Sequence, residues 1–416
     1  MTAIARVLGR RVWDSRGRPT VESEVTLTDG SAGRAIAPAG ASTGSGEALD
    51  RRDGGSRFGG RDVAKAVAAV NGEIAARVTG MDAHDQTAVD RALIDLDGTP
   101  QKSRLGGNAT IAVSLAVAHA AAAAGGVPLW QYLAAGRSGL VMPRPEIQLF
   151  GGGAHAGRRV DIQDFMVVAT AATTFAAALD MTAEVYAAAG ALLDEKGRRM
   201  GVADEGGYWP AFDSNEEGLT LAVQAIERAG FVPGEDLAIS LDIAASDFGE
   251  GGRYRLARDN RVLDTDAMIE MLLGWVERYP IIAIEDPFGE DDEAGLIAFT
   301  RAAGDRLKVV GDDYLVTNAG RIRHAAEAGA CNTALIKPNQ AGTVSETRAA
   351  LIAAKDAGWE TIVSARSGES EDVSVVHLAI GWQADWLKVG SFSRSERMAK
   401  WNEGLRVAEV IGDRLG

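Results

Sequence analysis

Cysteine is almost missing: Cys331 stands alone in 416 residues, which excludes an intramolecular disulfide framework and fits a reducing cytosol. Lysine is also scarce, with eight residues against 35 arginines. No block of basic residues could follow a phosphate backbone, and 58 acidic against 43 basic side chains leave a formal charge of −15. Nucleic acid is therefore excluded as a partner. The N-terminus lacks an apolar signal segment before Asp14, and the expected location is cytoplasmic. One long apolar stretch, residues 109–129, approaches the length of a membrane span. It is built on weakly apolar alanine and is broken by His119, Gly125, Gly126 and Pro128, so it reads as a buried alanine-rich helix, with no membrane partner.

What is present is globular: 46% hydrophobic and 24% charged residues are enough to build a core. The length exceeds one ordinary domain, while an eight-stranded α/β barrel takes about 250 residues, so two domains are expected. Residues 4–12 and 20–28 alternate as strands with a hairpin signal at Asp29-Gly30, followed by helical patterns over 62–96 and 108–124. Helix breakers concentrate over 136–145, which places the boundary between 1–138 and 139–416. Beyond it, short apolar runs at 165–168, 237–241, 281–284, 307–310, 334–336, 361–363 and 386–387 alternate with helical segments. No mononucleotide-binding glycine fingerprint follows the first run, which favours a closed barrel over an open sheet.

The polar residues closing these runs carry the chemistry. In order they are Asp242, Glu285, Asp312, Lys337, Arg366-Ser367 and Lys388. Strand ends of a barrel meet at one rim, so these residues are expected to converge. Three carboxylates suit a hard divalent cation, Mg²⁺ where waters and substrate complete an octahedron. Strand-ending charges also mark where core meets water, but six runs with acids preceding bases form a pattern beyond that. A lysine buried beside cations is expected to have a lowered pKa and to serve as a general base at neutral pH. A metal-bound carboxylate substrate would then lose its α-proton.

At these residues the chain resembles the enolases over nearly its whole length. The shared motifs are Trp13-Asp-Ser-Arg-Gly-Arg-Pro-Thr-Val21, Pro38-Ala-Gly-Ala-Ser-Thr-Gly44, Leu96-Asp-Gly-Thr-Pro100, Gly153-Ala-His-Ala-Gly157, Asp204-Glu-Gly-Gly207, Glu285-Asp-Pro-Phe288, Lys337-Pro-Asn-Gln340 and Ser393-Arg-Ser-Glu-Arg397. The resemblance implies an α/β fold of enolase type, a small N-terminal α+β capping domain followed by a (β/α)8-type barrel. It implies Asp242, Glu285 and Asp312 as ligands of a first Mg²⁺, and a second Mg²⁺ bound with substrate and held in part by Ser42 in a mobile loop. A Lys base with one or two Mg²⁺ ions is the mechanism general to the enolase superfamily. By the same resemblance Lys337 removes the C2 proton, Glu205 assists departure of the C3 hydroxyl, Arg366 and Ser367 bind phosphate, Lys388 binds the carboxylate region, and His155 and Gln163 line the pocket. Homodimers or higher homo-oligomers are expected on the same ground.

Several positions depart from the family pattern. Ala365 replaces a histidine in Ser364-Ala-Arg-Ser-Gly-Glu369, and Asp164 replaces a glutamate beside the leaving-group machinery. Ala39 replaces a serine, Phe150 stands where asparagine is usual before the glycines, and Val389 where threonine is usual. The changes at Ala365 and Asp164 point to an altered group at the phosphorus end. Three functions follow: a lyase converting 2-phosphoglycerate to phosphoenolpyruvate; an enzyme resembling carboxyphosphonoenolpyruvate synthase of phosphonate and phosphinothricin antibiotic biosynthesis, with a phosphonylated carboxylate substrate; and a non-catalytic enolase-fold binding protein. Retention of Lys337, Lys388, Glu205 and the three acids argues against the last. Gly40-Ala-Ser-Thr-Gly44 also matches the serine-hydrolase elbow, but without a strand before it or a helix straight after it. The four histidines other than His155 fall in helical patterns and read as structural, and Cys331 as a small core residue.

Overall fold

The computed structural model describes residues 2–416. The chain opens with an antiparallel meander of β1 (Ile4–Trp13), β2 (Pro19–Leu27) and β3 (Ala32–Ile36). The turn between β2 and β3 carries Gly30 at φ +89°, a conformation that a residue with a Cβ resists. The alanine-rich stretch is helix Gly107–Ala124, packed on β2 and β3. Alanines let it lie close: a Cβ on Gly33 would sit 2.2 Å from the Ala120 amide nitrogen. The helix is long and apolar enough to cross a membrane, but 83% of it is buried within the molecule. A second helix of that length and composition, Phe175–Glu195, packs beside the barrel.

The helical pattern over 62–96 is divided. Helical turns run from Ala64 to Val78, with a π segment at Val70–Ile74. Gly80, at φ +88°, then donates to Ile4 O, and Asp85 caps the next helix, Gln86–Asp97, by accepting from the Ala88 amide. His84 lies in that intervening turn rather than in a helix.

Eight strands close the second sheet: β4 (Arg144–Gly151), β5 (Asp164–Val168), β6 (Ala238–Asp242), β7 (Ile281–Glu285), β8 (Lys308–Gly311), β9 (Thr333–Ile336), β10 (Glu360–Ser364) and β11 (Trp386–Gly390), with β11 pairing back to β4. All neighbouring pairs are parallel except β4–β5 and β5–β6. The segment before β5, residues 152–163, holds one short 3₁₀ turn and no crossover helix, so β5 returns beside β4 in the opposite direction. This reversal corrects the expectation that each run presents its last residue to the rim. For 165–168 it is the first residue of β5, Asp164, that reaches it, paired in register with Asp242. A hairpin of Arg199–Val202 and Tyr208–Pro210 adds to the edge of β4.

Candidate active site

The barrel rim gathers the predicted residues. Asp242 and Glu285 end β6 and β7, Asp312 and Lys337 follow β8 and β9 by one residue, Arg366 follows β10 by two, and Lys388 lies within β11. Glu205 comes from the turn of the added hairpin and Ser42 from the loop after β3. One cavity of about 20 Å³ is lined by every predicted residue except Glu285 and Asp312, together with Ala41 and Ser364. That volume admits about one water. Phe150 is not there: it packs edge-to-face against Phe165 and Phe212 in the core. Its difference from the family pattern therefore does not alter the lining.

Charge in the site is arranged around two amines. Lys388 Nζ reaches Glu285 Oε2 at 2.6 Å, Asp242 Oδ2 at 3.1 Å and Asp164 Oδ2 at 3.8 Å. Lys337 Nζ contacts Asp312 Oδ2, whose other oxygen accepts from Gln340 Nε2 at 2.8 Å. Burial alone would lower both lysines, but the facing carboxylates outweigh it and raise them, Lys388 far more. The lowered base expected at Lys337 is therefore not what the protein's own groups produce, since Asp312 stabilises the ammonium. Burial with Asp242 alongside pushes Glu285 well up; Asp312, although buried, is held low by Lys337 and Arg366.

A second network joins His155, Asp164 and Glu205. His155 Nδ1 lies 3.1 Å from Asp164 Oδ1 and Nε2 lies 3.7 Å from Glu205 Oε1. Burial opposes the imidazolium, but the two carboxylates raise His155 to about 9. Asp164, despite complete burial, is held at about 2 by His155 and Lys388. Gln148 Nε2 donates to Asp164 while its Oε1 accepts from the Gly207 amide at 2.7 Å, tying Asp164 to the turn that carries Glu205.

Arg366 is held in part by a residue that carried no sequence signal, Glu47. Its guanidinium contacts Glu47 at 3.0 and 3.2 Å, Asn339 Oδ1 at 3.0 Å and Ser42 O at 3.0 Å. Glu47 has no run, turn motif or spacing to mark it. Ser367 Oγ accepts from Arg16 Nη1 at 3.3 Å. The loop after β3 lies so close that a Cβ on Gly40 would be 2.0 Å from Arg366 Nη2.

The donor set fits a divalent cation. Glu285 Oε1, Asp164 Oδ2 and Gln163 Oε1 are buried oxygens without a hydrogen-bond partner among the described residues, so the rim has more acceptor oxygens than protein donors to satisfy them. Among the described residues, two groupings bring ligand atoms within 4.8 Å of one another: His155 with Asp164 and Glu205, and Asp286 with Asp312 and Asp313. The trio expected to hold the first ion, Asp242, Glu285 and Asp312, does not form such a grouping.

A barrel with a capping domain and a mouth lined by buried carboxylates and amines has the groups that acid–base chemistry uses. Residues 139–415 match the family described as "Enolase, C-terminal TIM barrel domain" and residues 4–133 match "Enolase, N-terminal domain". The chain is also 48% identical over 412 residues to "Enolase 1" of Desulfitobacterium hafniense (strain Y51), covering 98% of this chain and 94% of that protein. The chain belongs to the enolase family and is an enolase-type lyase. That family typically binds Mg²⁺, and the acidic clusters here are suited to a metal.

Proposed function

We propose that the enzyme removes the C2 proton of 2-phosphoglycerate and expels the C3 hydroxyl, giving phosphoenolpyruvate, with Mg²⁺ at Asp242, Glu285 and Asp312 and a second ion near Ser42 when substrate is bound. The supporting observation is that an amine, Lys337, and a carboxylic acid, Glu205, line one cavity with Arg366 and Lys388. Bound Mg²⁺ would neutralise charge developing on the substrate carboxylate. With Asp312 engaged by the ion, the carboxylate that holds Lys337 as an ammonium would be neutralised; Lys337 Nζ, as the free amine, then accepts the C2 proton, and the freed electron pair forms the C2–C3 double bond as the C3–O bond breaks. Glu205 gives its proton to the departing oxygen, which leaves as water. His155 and Asp164 orient Glu205, while Arg366 and Ser367 hold the phosphate. A cytoplasmic homodimer or higher oligomer is part of the same reading, in keeping with a free, buried Cys331.

A second reading rests on Ala365. It lines the cavity immediately before Arg366, so the lost imidazole leaves space beside the phosphorus group, as a phosphonate analogue carrying a carboxylate on phosphorus would need. With Mg²⁺ and 2-phosphoglycerate, enol absorbance should appear at about 10–10³ per second, and Lys337→Ala should abolish it. A rate a thousandfold lower that rises with an activated phosphonoformate would instead establish the phosphonate reaction. The double variant Ala365→His/Asp164→Glu should raise ordinary dehydration, and an unchanged rate would refute the lining argument.

A further inference from the structure

Below the rim, the barrel interior is apolar: Val168, Ala283, Val310, Leu335 and Ile362 pack with Trp386. Glu146, on β4, interrupts this dry layer at 1% exposure. One carboxylate oxygen, Oε1, accepts from Ser240 Oγ on β6 at 2.5 Å. The other, Oε2, is buried without a hydrogen-bond partner among the described residues. A charged carboxylate kept in such surroundings is costly unless something pairs with it. Its register partner across the β4–β11 seam is Lys388, and adjacent strands lie about 4.8 Å apart.

Lys388 is the group with reason to move. Its ammonium contacts Glu285 Oε2 and Asp242 Oδ2, oxygens of two of the carboxylates assigned above to the first Mg²⁺. An ion on these carboxylates places a second positive charge against the ammonium, and like charges repel strongly where water is excluded. Entry of the ion therefore displaces Lys388, and an ammonium cannot be left unpaired in the barrel. The free oxygen of Glu146, one strand away, is an acceptor with no other donor to serve.

We propose that Glu146 is a positioning residue that receives Lys388 when the divalent ion takes Asp242 and Glu285, so that ion entry shifts the lysine between two carboxylate sites. The inference rests on the reading of Asp242 and Glu285 as ion ligands. It accounts for both the free oxygen of Glu146 and the placement of a carboxylate beneath a lysine already facing three others.

The test is Mg²⁺ binding alone, without substrate, measured by calorimetry on the full chain in a double-mutant cycle. Glu146→Leu should weaken Mg²⁺ at least tenfold, and Glu146→Gln, which keeps the size and the Ser240 contact, should do the same. In a Lys388→Met background, where no ammonium needs a seat, Glu146→Gln should change the affinity by less than twofold. Equal losses in both backgrounds would mean that Glu146 acts only as a nearby negative charge, and unchanged affinity in Glu146→Gln would mean that it receives nothing; either result overturns the proposal. Should Lys388→Met fold poorly, ¹⁵N-lysine spectra decide: added Mg²⁺ should shift the Lys388 signal in the native enzyme and not in Glu146→Gln, and equal shifts would refute the seat. Failure of the underlying reading is separate, because Asp242→Asn would then bind Mg²⁺ as tightly as the native enzyme.

Discussion

His155 sits between Asp164 and Glu205, and its charge is set by that position. Its folded pKa of about 9 lies above the ordinary imidazole value of about 6.5. The imidazolium therefore stabilises the fold fully below pH 6.5, and the contribution disappears as pH rises through about 9. Asp164 has the opposite sign: its contribution, present above the ordinary carboxyl range, is lost as pH falls through about 2. Asp164→Asn should bring the His155 titration down toward 6.5, as read by NMR. The stability advantage of the native enzyme over the variant should shrink as pH rises from 6.5 to 9. An unmoved His155 titration would show that Glu205 alone holds the charge.

Secondary-structure elements converge here through close backbone approaches. Helix Gly107–Ala124 can lie on β3 because Gly33 has no side chain; the Ala116 carbonyl would be 2.3 Å from a Cβ there. Gly33→Ala should cost at least about 1–3 kcal/mol through overpacking, measured as a lower denaturation midpoint with an unchanged slope. The turn carrying Glu205 has the same kind of limit: Gly206, at φ +94°, would place a Cβ 2.4 Å from Ser393 O. Gly206→Ala is expected to lower kcat with little change in KM, since it displaces Glu205 and leaves Arg366 and Lys388 in place. A fall confined to KM would contradict this placement of the acid.

For the whole molecule, the two parts of the chain complete one another. The loop after β3 reaches over the barrel and joins Arg366 through Glu47 and the Ser42 carbonyl, so a three-carbon phosphate cannot enter a cavity of about 20 Å³ while the loop stays closed. Hydrogen exchange over residues 38–47 should be faster in the free enzyme than with Mg²⁺ and 2-phosphoglycerate bound. Equal exchange in both states would show that the loop is not the entrance.

Strand-and-helix alternation, the buried alanine helix and the six rim residues were all legible in the sequence, since apolar periodicity and a charge ending each run are local signals. Family likeness was equally legible, carried by contiguous motifs. Only the tertiary structure decided that β5 runs backwards and so brings Asp164 rather than its last residue to the rim, that Phe150 turns into the core, that Glu47 grips Arg366 across 319 positions, and that Glu146 pairs in register with Lys388. Strand direction depends on which neighbour pairs with it, and a long-range ion pair on two distant segments being packed together. Neither leaves a periodic trace in the order of residues.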